Sequence, residues 1–381
     1  MRYRRFGKTA LKMPVFSLGT MRFASAEIAC AVVEKAIDKG ITHLETAPAY
    51  GHSEQYIGNA LTRLAIPRDK LILTTKLTPT IGGNDVEEAI AQSLDRSLDR
   101  SLDRLNTDYI DCLAIHGINN CEHLAWTIEE MIEPLLAAKQ AGLIRHIGFS
   151  THGELALISQ AITTGHFDFV NLHYNLFFQR NEAAIALAHQ QDMGVFIISP
   201  ADKAGLLYTP SDKLKALCAP YDPLLLNYRW LLSDSRITTL SVGPAIPEEL
   251  DWPLQAANSD GPLSWEESRP IDRLKQALID NLGSDRCAAC YQCLPCPETI
   301  NIPEVLRLRN LTVAYEMEAY GQYRYGMFEN AGHWFWGRRG DRCTDCGDCL
   351  PRCPEQLNIP ALLRDTHDRL KGKRRRRLWE D

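Results

Sequence analysis

Between Val15 and Val242 the chain alternates short apolar runs with longer amphipathic ones. The short runs are 15–19, 41–46, 71–76, 109–116, 145–150, 169–174, 195–199 and 237–242. Their length and β-branched content read as strands. Between them, 25–39, 53–64, 85–105, 122–141, 154–163 and 182–191 carry helical periodicity, and two shorter helical pieces follow near 211–218 and 223–233. Ser25 suits an N-cap, and Gly40 and Gly142 suit helix stops. Strands alternating with helices imply βαβ units and a parallel sheet. Eight such units within about 250 residues fit a closed α/β structure, the (β/α)8 TIM barrel. The rival is an open doubly wound sheet, but no Gly-x-Gly-x-x-Gly fingerprint follows the first strand or occurs elsewhere. Ahead of the alternation, residues 3–20 predict a hairpin turning at Gly7-Lys8-Thr9. In the third helix Ser-Leu-Asp-Arg occurs three times running, at 93–96, 97–100 and 101–104. A four-residue period puts Leu94, Leu98 and Leu102 on one drifting stripe. It lengthens an outer helix by up to two turns, about 12 Å.

A barrel of this kind keeps its chemistry at the C-terminal ends of the strands. Four polar side chains fall there in order. Glu45 and Tyr50 lie within Leu44-Glu45-Thr46-Ala47-Pro48-Ala49-Tyr50-Gly51, and Lys76 and His116 end later strands. Carbonyl reduction needs hydride at carbon and a proton at oxygen. A tyrosine can give that proton, but a reference pKa of about 10 makes it slow near neutrality. A neighbouring lysine cation lowers that pKa, a carboxylate holds the lysine, and a histidine orients the carbonyl. Alone, the lysine reads as a surface cation and the tyrosine as a cap on the barrel mouth. All four in one order make chance a poor explanation.

With these residues in view, the sequence resembles the aldo-keto reductase family from about residue 3 to 255. The resemblance rests on Ser17-Leu18-Gly19-Thr20-Met21-Arg22, Glu45-Thr46-Ala47-x-x-Tyr50-Gly51-x-Ser53-Glu54, Ile57-Gly58-Asn59-Ala60-Leu61, Asp108-Tyr109-Ile110-Asp111, Gly148-Phe149-Ser150 and Tyr174-Asn175. It implies NAD(P)H bound extended across the barrel mouth, Tyr50 as general acid tuned by Lys76 and Glu45, and His116 orienting a small-molecule substrate. By the same match Ser150 and Asn171 fall where the family holds the nicotinamide carboxamide. Gly19, Thr20 and Met21 line the end of the first strand, Ser199 lies toward the pyrophosphate, and Gly243 opens the last loop. The sequence also departs from the family. Glu45 stands where aspartate is usual, Asn171 replaces glutamine, and Ile198 sits where an aromatic often stacks. The last loop carries Glu248, Glu249 and Asp251 where NADPH-specific members carry a cation. Like charges repel a 2′-phosphate, so the loop points to NADH or to a loosely held cofactor.

After Arg286 the composition changes. Cys287-x2-Cys290-x2-Cys293-x2-Cys296-Pro297 is followed by Cys343-x2-Cys346-x2-Cys349-x3-Cys353-Pro354. The second run matches the bacterial ferredoxin pattern, whose fourth cysteine ligates the other cluster. The two are an internal repeat: 287, 290 and 293 map onto 343, 346 and 349, and Glu298-x-Ile300-Asn301-Ile302-Pro303 maps onto Glu355-x-Leu357-Asn358-Ile359-Pro360. Proline at a helix start is favoured, so each fourth cysteine leads into a helix. Paired Cys-x2-Cys also binds zinc. Three thiolates at x2-x2 spacing followed by Cys-Pro favour two [4Fe–4S] clusters. The expected wiring is Cys287, Cys290 and Cys293 with Cys353, and Cys343, Cys346 and Cys349 with Cys296. The shortened x2 before Cys296 is its weak point. The intervening aromatics, Tyr315 to Trp336, read as the core of a small, mostly helical ferredoxin-like domain.

Composition bounds the rest. Net charge is −6 and gives no reason for a nucleic-acid partner. No apolar run is long enough to span a membrane. Twelve cysteines without a signal-like start argue for a reducing compartment, the cytoplasm. The expected domains are a barrel over 1–255, a linker and helix over 256–285, the ferredoxin-like domain over 286–370 and a basic tail over 371–381. The expected function is an iron–sulfur oxidoreductase of aldo-keto reductase type, with an external electron carrier such as ferredoxin as a further partner. Nicotinamide gives two electrons as hydride, a cluster takes one, and no flavin motif stands between them. The rival reading is a redox sensor or electron-transfer module on a relic barrel.

Overall fold

The computed structural model describes residues 1–79, 97–201 and 206–374. The first Ser-Leu-Asp-Arg copy, Leu94, the start of the third helix and residues 375–381 of the basic tail lie outside the described residues.

Eight parallel strands close into a barrel. In chain order after the hairpin strands β1 (Tyr3–Arg5) and β2 (Lys12–Pro14) they are β3 (Phe16–Gly19), β4 (His43–Glu45), β5 (Ile72–Leu77), β6 (Ile110–His116), β7 (Ile144–Ser150), β8 (Phe169–His173), β9 (Gly194–Ile198) and β10 (Thr239–Val242). Each strand pairs with the next, and β10 returns to β3 through Leu240 opposite Phe16. The strands are buried on both faces, as a parallel sheet covered by helices requires. Fully burying one such Ile, Leu or Phe contributes roughly 1.5–3 kcal/mol.

Side chains alternate across the sheet. On β3, Phe16 meets Tyr228 edge-on while Ser17 bonds Thr239 at 2.6 Å, so the two residues serve opposite faces. The hairpin covers the N-terminal ends of the strands. Phe6 packs with Met13, Cys112, Phe169 and Phe196. Gly7, at φ +52°, and Gly194 permit this, because a Cβ on Gly194 would fall 2.3 Å from the Phe6 ring. Chemistry is thereby left to the opposite, C-terminal end.

The helices follow their sequence signals. Ser25 Oγ accepts from Ile28 N, and the helix Ala26–Asp38 buries Ala29, Val32, Val33 and Ala36. Helix Ser53–Arg63 comes close to the helical residues 97–105: a Cβ on Gly58 would lie 2.3 Å from Arg104 O. Leu98 and Leu102 of the repeated tetrapeptide are buried, so those two positions are core. The expected single helix over 122–141 is instead Cys121–Trp126, a π-helical turn Thr127–Met131, and Ile132–Gln140. Pro134 cannot donate to Glu130 and its ring crowds that carbonyl, which disrupts the regular ladder there.

Contacts divide the chain into two compact units, Met1–Pro200 with Asn227–Pro262, and the described residues of Ala201–Leu226 with Leu263–Asp381. Alternation alone assigned 201–226 to the barrel. In the structure Ser211 Oγ donates to Tyr315 O at 2.6 Å and Arg273 Nε to Leu217 O at 2.9 Å, which ties that segment into the second unit. The helix expected within 256–285 runs Trp265–Leu282, with Pro270 inside it and a capping box between Ser264 and Glu267. In the second unit Tyr315, Tyr320, Tyr323, Tyr325 and Phe328 are buried, while Trp334, Phe335 and Trp336 are half-buried. Among the described residues no helix is long and apolar enough to cross a membrane.

Candidate functional site

Strand register sets the upper end of the barrel. Gly19 pairs with Glu45, Glu45 with Thr74, Lys76 with Ala114, and His116 with Ser150, which pairs with Asn171. Glu45 and His116 therefore end β4 and β6, Lys76 is the last residue but one of β5, and Tyr50 reaches back from the loop after β4.

Lys76 is the centre of this group. An ammonium has three donors, and all three have acceptors: the Glu45 carboxylate, Thr46 O at 2.9 Å and Tyr50 OH at 3.1 Å. The Lys76–Glu45 pair is buried on both sides, with side chains 1% and 5% exposed. The longer Glu45 side chain thus still reaches Lys76. Because Tyr50 oxygen accepts from Lys76, its own proton is free to point elsewhere. The Tyr50 ring meets His116 edge-on, with centroids 5.8 Å apart.

The electrostatics differ from the sequence expectation. Burial is the largest influence and pulls the Lys76 ammonium down, but the Glu45 charge, Tyr50 and the hydrogen bonds to both together outweigh it and hold Lys76 above its ordinary pKa. Burial is also the largest influence on Tyr50. It raises the phenol above its ordinary value against the opposing pull of Lys76, and Glu45 adds to the rise. The lysine therefore limits the rise without producing a net lowering. Tyr50 stays protonated at neutrality and can give its proton to a strongly basic oxygen, such as an alkoxide forming at a reduced carbonyl.

The remaining residues sort by what their polar atoms touch. Thr20 Oγ1 donates to Glu45 O at 3.0 Å and contacts Ser53 Oγ at 2.6 Å, so it secures the strand ends. Ser150 Oγ accepts from Gly117 N at 3.1 Å and is engaged locally. Gly19 lies where a Cβ would meet Ser241 Oγ at 2.6 Å, and Gly243 approaches Gly19 O. Met21 is half-buried, and Ser199 holds φ +50° after β9. Asn171 is completely buried, and neither its amide nitrogen nor its oxygen has a hydrogen-bond partner. Such a group is costly unless something else completes it. That vacancy in bonding fits an amide-bearing cofactor such as nicotinamide.

Two features escaped sequence reasoning. Below the site, His43 Nδ1 contacts Ser17 Oγ at 2.6 Å and Nε2 contacts Thr74 Oγ1 at 2.7 Å. Burial, with help from Lys76, drops the imidazole to about 3, so it is neutral. The sequence signal was its place two residues before Glu45 on the same strand face. Second, two of the three acids in the last loop are ion-paired. Arg22 binds Glu249 at 2.7 Å and Lys35 binds Asp251 at 2.7 Å, which weakens the repulsion expected of that loop.

In the second unit the internal repeat is also a repeat of backbone shape. Ala289 and Tyr291 match Asp345 and Gly347, all in the left-handed region, and Thr299 matches Gln356. Asn301 caps Ile302–Tyr315 through Glu304 N, and Asn358 caps Ile359–Leu370 through Ala361 N. Arg309 joins the two helices through Asp365 at 2.6 Å. These turns ring Cys296, Cys343, Cys346 and Cys349 around one cavity, so the short x2 spacing still delivers Cys296 to the second set. Cys287 and Cys293 are raised, first by burial and then by neighbouring cysteines; for Cys287 these are Cys290 and Cys353. Cys296 of the first motif thus lies with the second set, and Cys353 of the second motif lies near Cys287. All twelve cysteines are free of disulfides. Among the described residues no group of three or more His, Cys, Asp or Glu is arranged to hold a single metal ion.

The family model described as the Aldo/keto reductase family matches residues 16–276, and that of the 4Fe-4S dicluster domain matches 286–357. An aldo-keto reductase of Mycobacterium avium (strain 104) is 30% identical over 247 residues, covering 63% of this chain and 80% of that protein. The methylglyoxal reductase DkgB of Salmonella typhi is 32% identical over 152 residues, covering 40% of this chain, which spans only 52% of that relative. Among solved structures, the holo form of an aldo-keto reductase from Bacillus halodurans aligns with TM-score 0.60 at 24% identity, covering 72% of this chain and 96% of that one. An aldo-keto reductase from Klebsiella pneumoniae in complex with NADPH gives 0.59 at 24% identity, covering 72% and 94%. At that identity the likeness bears on the fold.

Proposed function

The chain belongs to the aldo/keto reductase family, and from that premise we propose an iron–sulfur oxidoreductase with two kinds of redox site. It is an NAD(P)H-dependent oxidoreductase. In our reading the barrel moves hydride between NAD(P)H and a carbonyl or related small organic substrate, with Tyr50 as general acid. Lys76 and Glu45 hold the phenol and set its charge environment, and His116 orients the carbonyl oxygen. Asn171 would hold the nicotinamide amide, and Gly19, Thr20, Met21, Ser150, Ser199 and Gly243 would shape the groove around the cofactor. The observation that carries this reading is the single Lys76 ammonium donating at once to Glu45, Thr46 O and Tyr50 OH.

The C-terminal domain holds iron–sulfur clusters. We infer two [4Fe–4S] clusters, one on Cys287, Cys290, Cys293 and Cys353 and one on Cys343, Cys346, Cys349 and Cys296. The repeated backbone and the cavity ringed by the second set support that wiring. When bound, the clusters would supply one-electron transfer, and we infer that they exchange electrons with an external carrier such as a ferredoxin and, through a two-to-one electron carrier of the flavin class, with the barrel chemistry. Twelve free cysteines suit a reducing compartment, so we place the protein in the cytoplasm.

The test is steady-state oxidation of NADH and of NADPH against a panel of aldehydes and ketones, in wild type and Tyr50→Phe. Carbonyl-dependent oxidation lost in the variant supports the assignment. Equal rates in both proteins remove Tyr50 from the chemistry.

A further inference from the structure

The two cysteine motifs match position by position except at one place. Leu294-Pro295 separates Cys293 from Cys296, whereas Leu350-Pro351-Arg352 separates Cys349 from Cys353. Arg352 is the residue that the first motif lacks. Its Nε donates to Asp348 O at 2.8 Å and its Nη2 to Pro295 O at 2.8 Å, so it bridges the turns of both motifs. Both acceptors are backbone carbonyls, and among the described residues Arg352 makes no ion pair. Its charge is therefore uncompensated by any carboxylate there. The side chain lines the cavity ringed by Cys296, Cys343, Cys346 and Cys349.

The other charges near that cavity are spoken for or turned outward. Glu298 also lines it, but its carboxylate is bridged by Arg338 at 3.4 Å. Asp345, between two of the cysteines, is held by Arg364 at 2.6 Å. Asp348 is exposed to solvent. In the first motif the corresponding turn has Pro295 and no cation.

We propose that Arg352 sets the redox order of the two clusters, raising the potential of the one held by Cys343, Cys346, Cys349 and Cys296 so that a single electron settles there. This rests on the two-cluster reading above. A cluster becomes more negative when it gains an electron. A nearby uncompensated cation stabilises that form more than the oxidised one, and cluster potentials respond to such charge and to hydrogen bonding. The asymmetry comes from one inserted residue in an otherwise repeated framework.

The experiment is an anaerobic potentiometric titration with dithionite, followed by electron paramagnetic resonance, on the reconstituted full chain. Wild type is compared with Arg352→Gln, Arg352→Lys and Cys349→Ala, with iron and sulfide measured in each. The expected result is two couples in wild type, of which Cys349→Ala removes the higher. Arg352→Gln lowers that couple and leaves the other in place, whereas Arg352→Lys holds it near the wild-type position. The proposal is overturned if Arg352→Gln moves neither couple or only the lower one, or if Arg352→Lys falls as far as Arg352→Gln. Wild type that binds zinc or a single cluster would overturn the two-cluster reading itself, and the metal analysis tells that failure apart.

Discussion

The barrel site and the cysteine centre solve the same problem, holding reactive groups in place, by opposite routes. Glu45, Lys76 and His116 are far apart in sequence and meet because strand register brings β4, β5 and β6 together. The cysteines are local: two short motifs fold each into a turn with the same left-handed residues and the same asparagine cap. The first design couples its members electrostatically, so a change at one is felt by all. The second is modular, with Cys296 of the first motif set at the cavity of the second. The comparison predicts that damage to the barrel site spreads within it, while damage to one cysteine set stays with that set.

The largest effect should come from separating the two. Tyr50→Phe is expected to cut carbonyl turnover by about 10²–10⁴-fold while leaving iron content at the wild-type level. Cys349→Ala is expected to lower bound iron by about half while carbonyl reduction persists. Loss of both properties in either variant breaks the comparison. Next is Lys76→Met, which strands the buried Glu45 carboxylate and should cost about 3–5 kcal/mol in chemical denaturation. A loss no larger than that of an exposed lysine would mean the pair is not coupled as described.

A smaller, pH-dependent effect tests the layer below. His43 falls from an ordinary 6.5 to about 3 in the fold. The unfolded chain binds that proton below about 6.5 and the folded one does not. Stability is therefore full above that value and is lost as pH falls toward 3, by on the order of 1.4 kcal/mol per unit. His43→Gln can keep both hydrogen bonds and cannot titrate, so denaturation between pH 4 and 7 should show a shallower acid loss. An unchanged slope would place the acid sensitivity elsewhere. The smallest effect is Ser264→Ala, which removes one cap from Trp265–Leu282 and should cost about 1 kcal/mol. A cost near zero would mean that helix is held by packing alone.

The same contrast explains what could be read in advance. Strand ends, the four catalytic candidates and all eight clustered cysteines are marked by local patterns, so the sequence carries them openly. The helix Trp265–Leu282 is also marked, by Ser264-x-x-Glu267, although Pro270 inside it interrupts the helical pattern. Other features have no local mark. The pairing of Glu249 with Arg22 joins residues that only barrel closure brings together. The net rise in Tyr50 pKa depends on burial, which a residue in a loop does not announce. The packing of 201–226 with the second unit likewise depends on contacts such as Ser211 with Tyr315. Residue type told which groups were present, and burial decided which force on them prevailed.

The most direct test of one oxidoreductase with two kinds of redox site is an anaerobic titration of the reconstituted full chain with NADH and, separately, NADPH. The visible absorption of the clusters and the nicotinamide band are followed together. The account predicts that the clusters bleach as nicotinamide is oxidised, with about two one-electron centres reduced per nicotinamide. Clusters that bleach with dithionite but with neither nucleotide would contradict it.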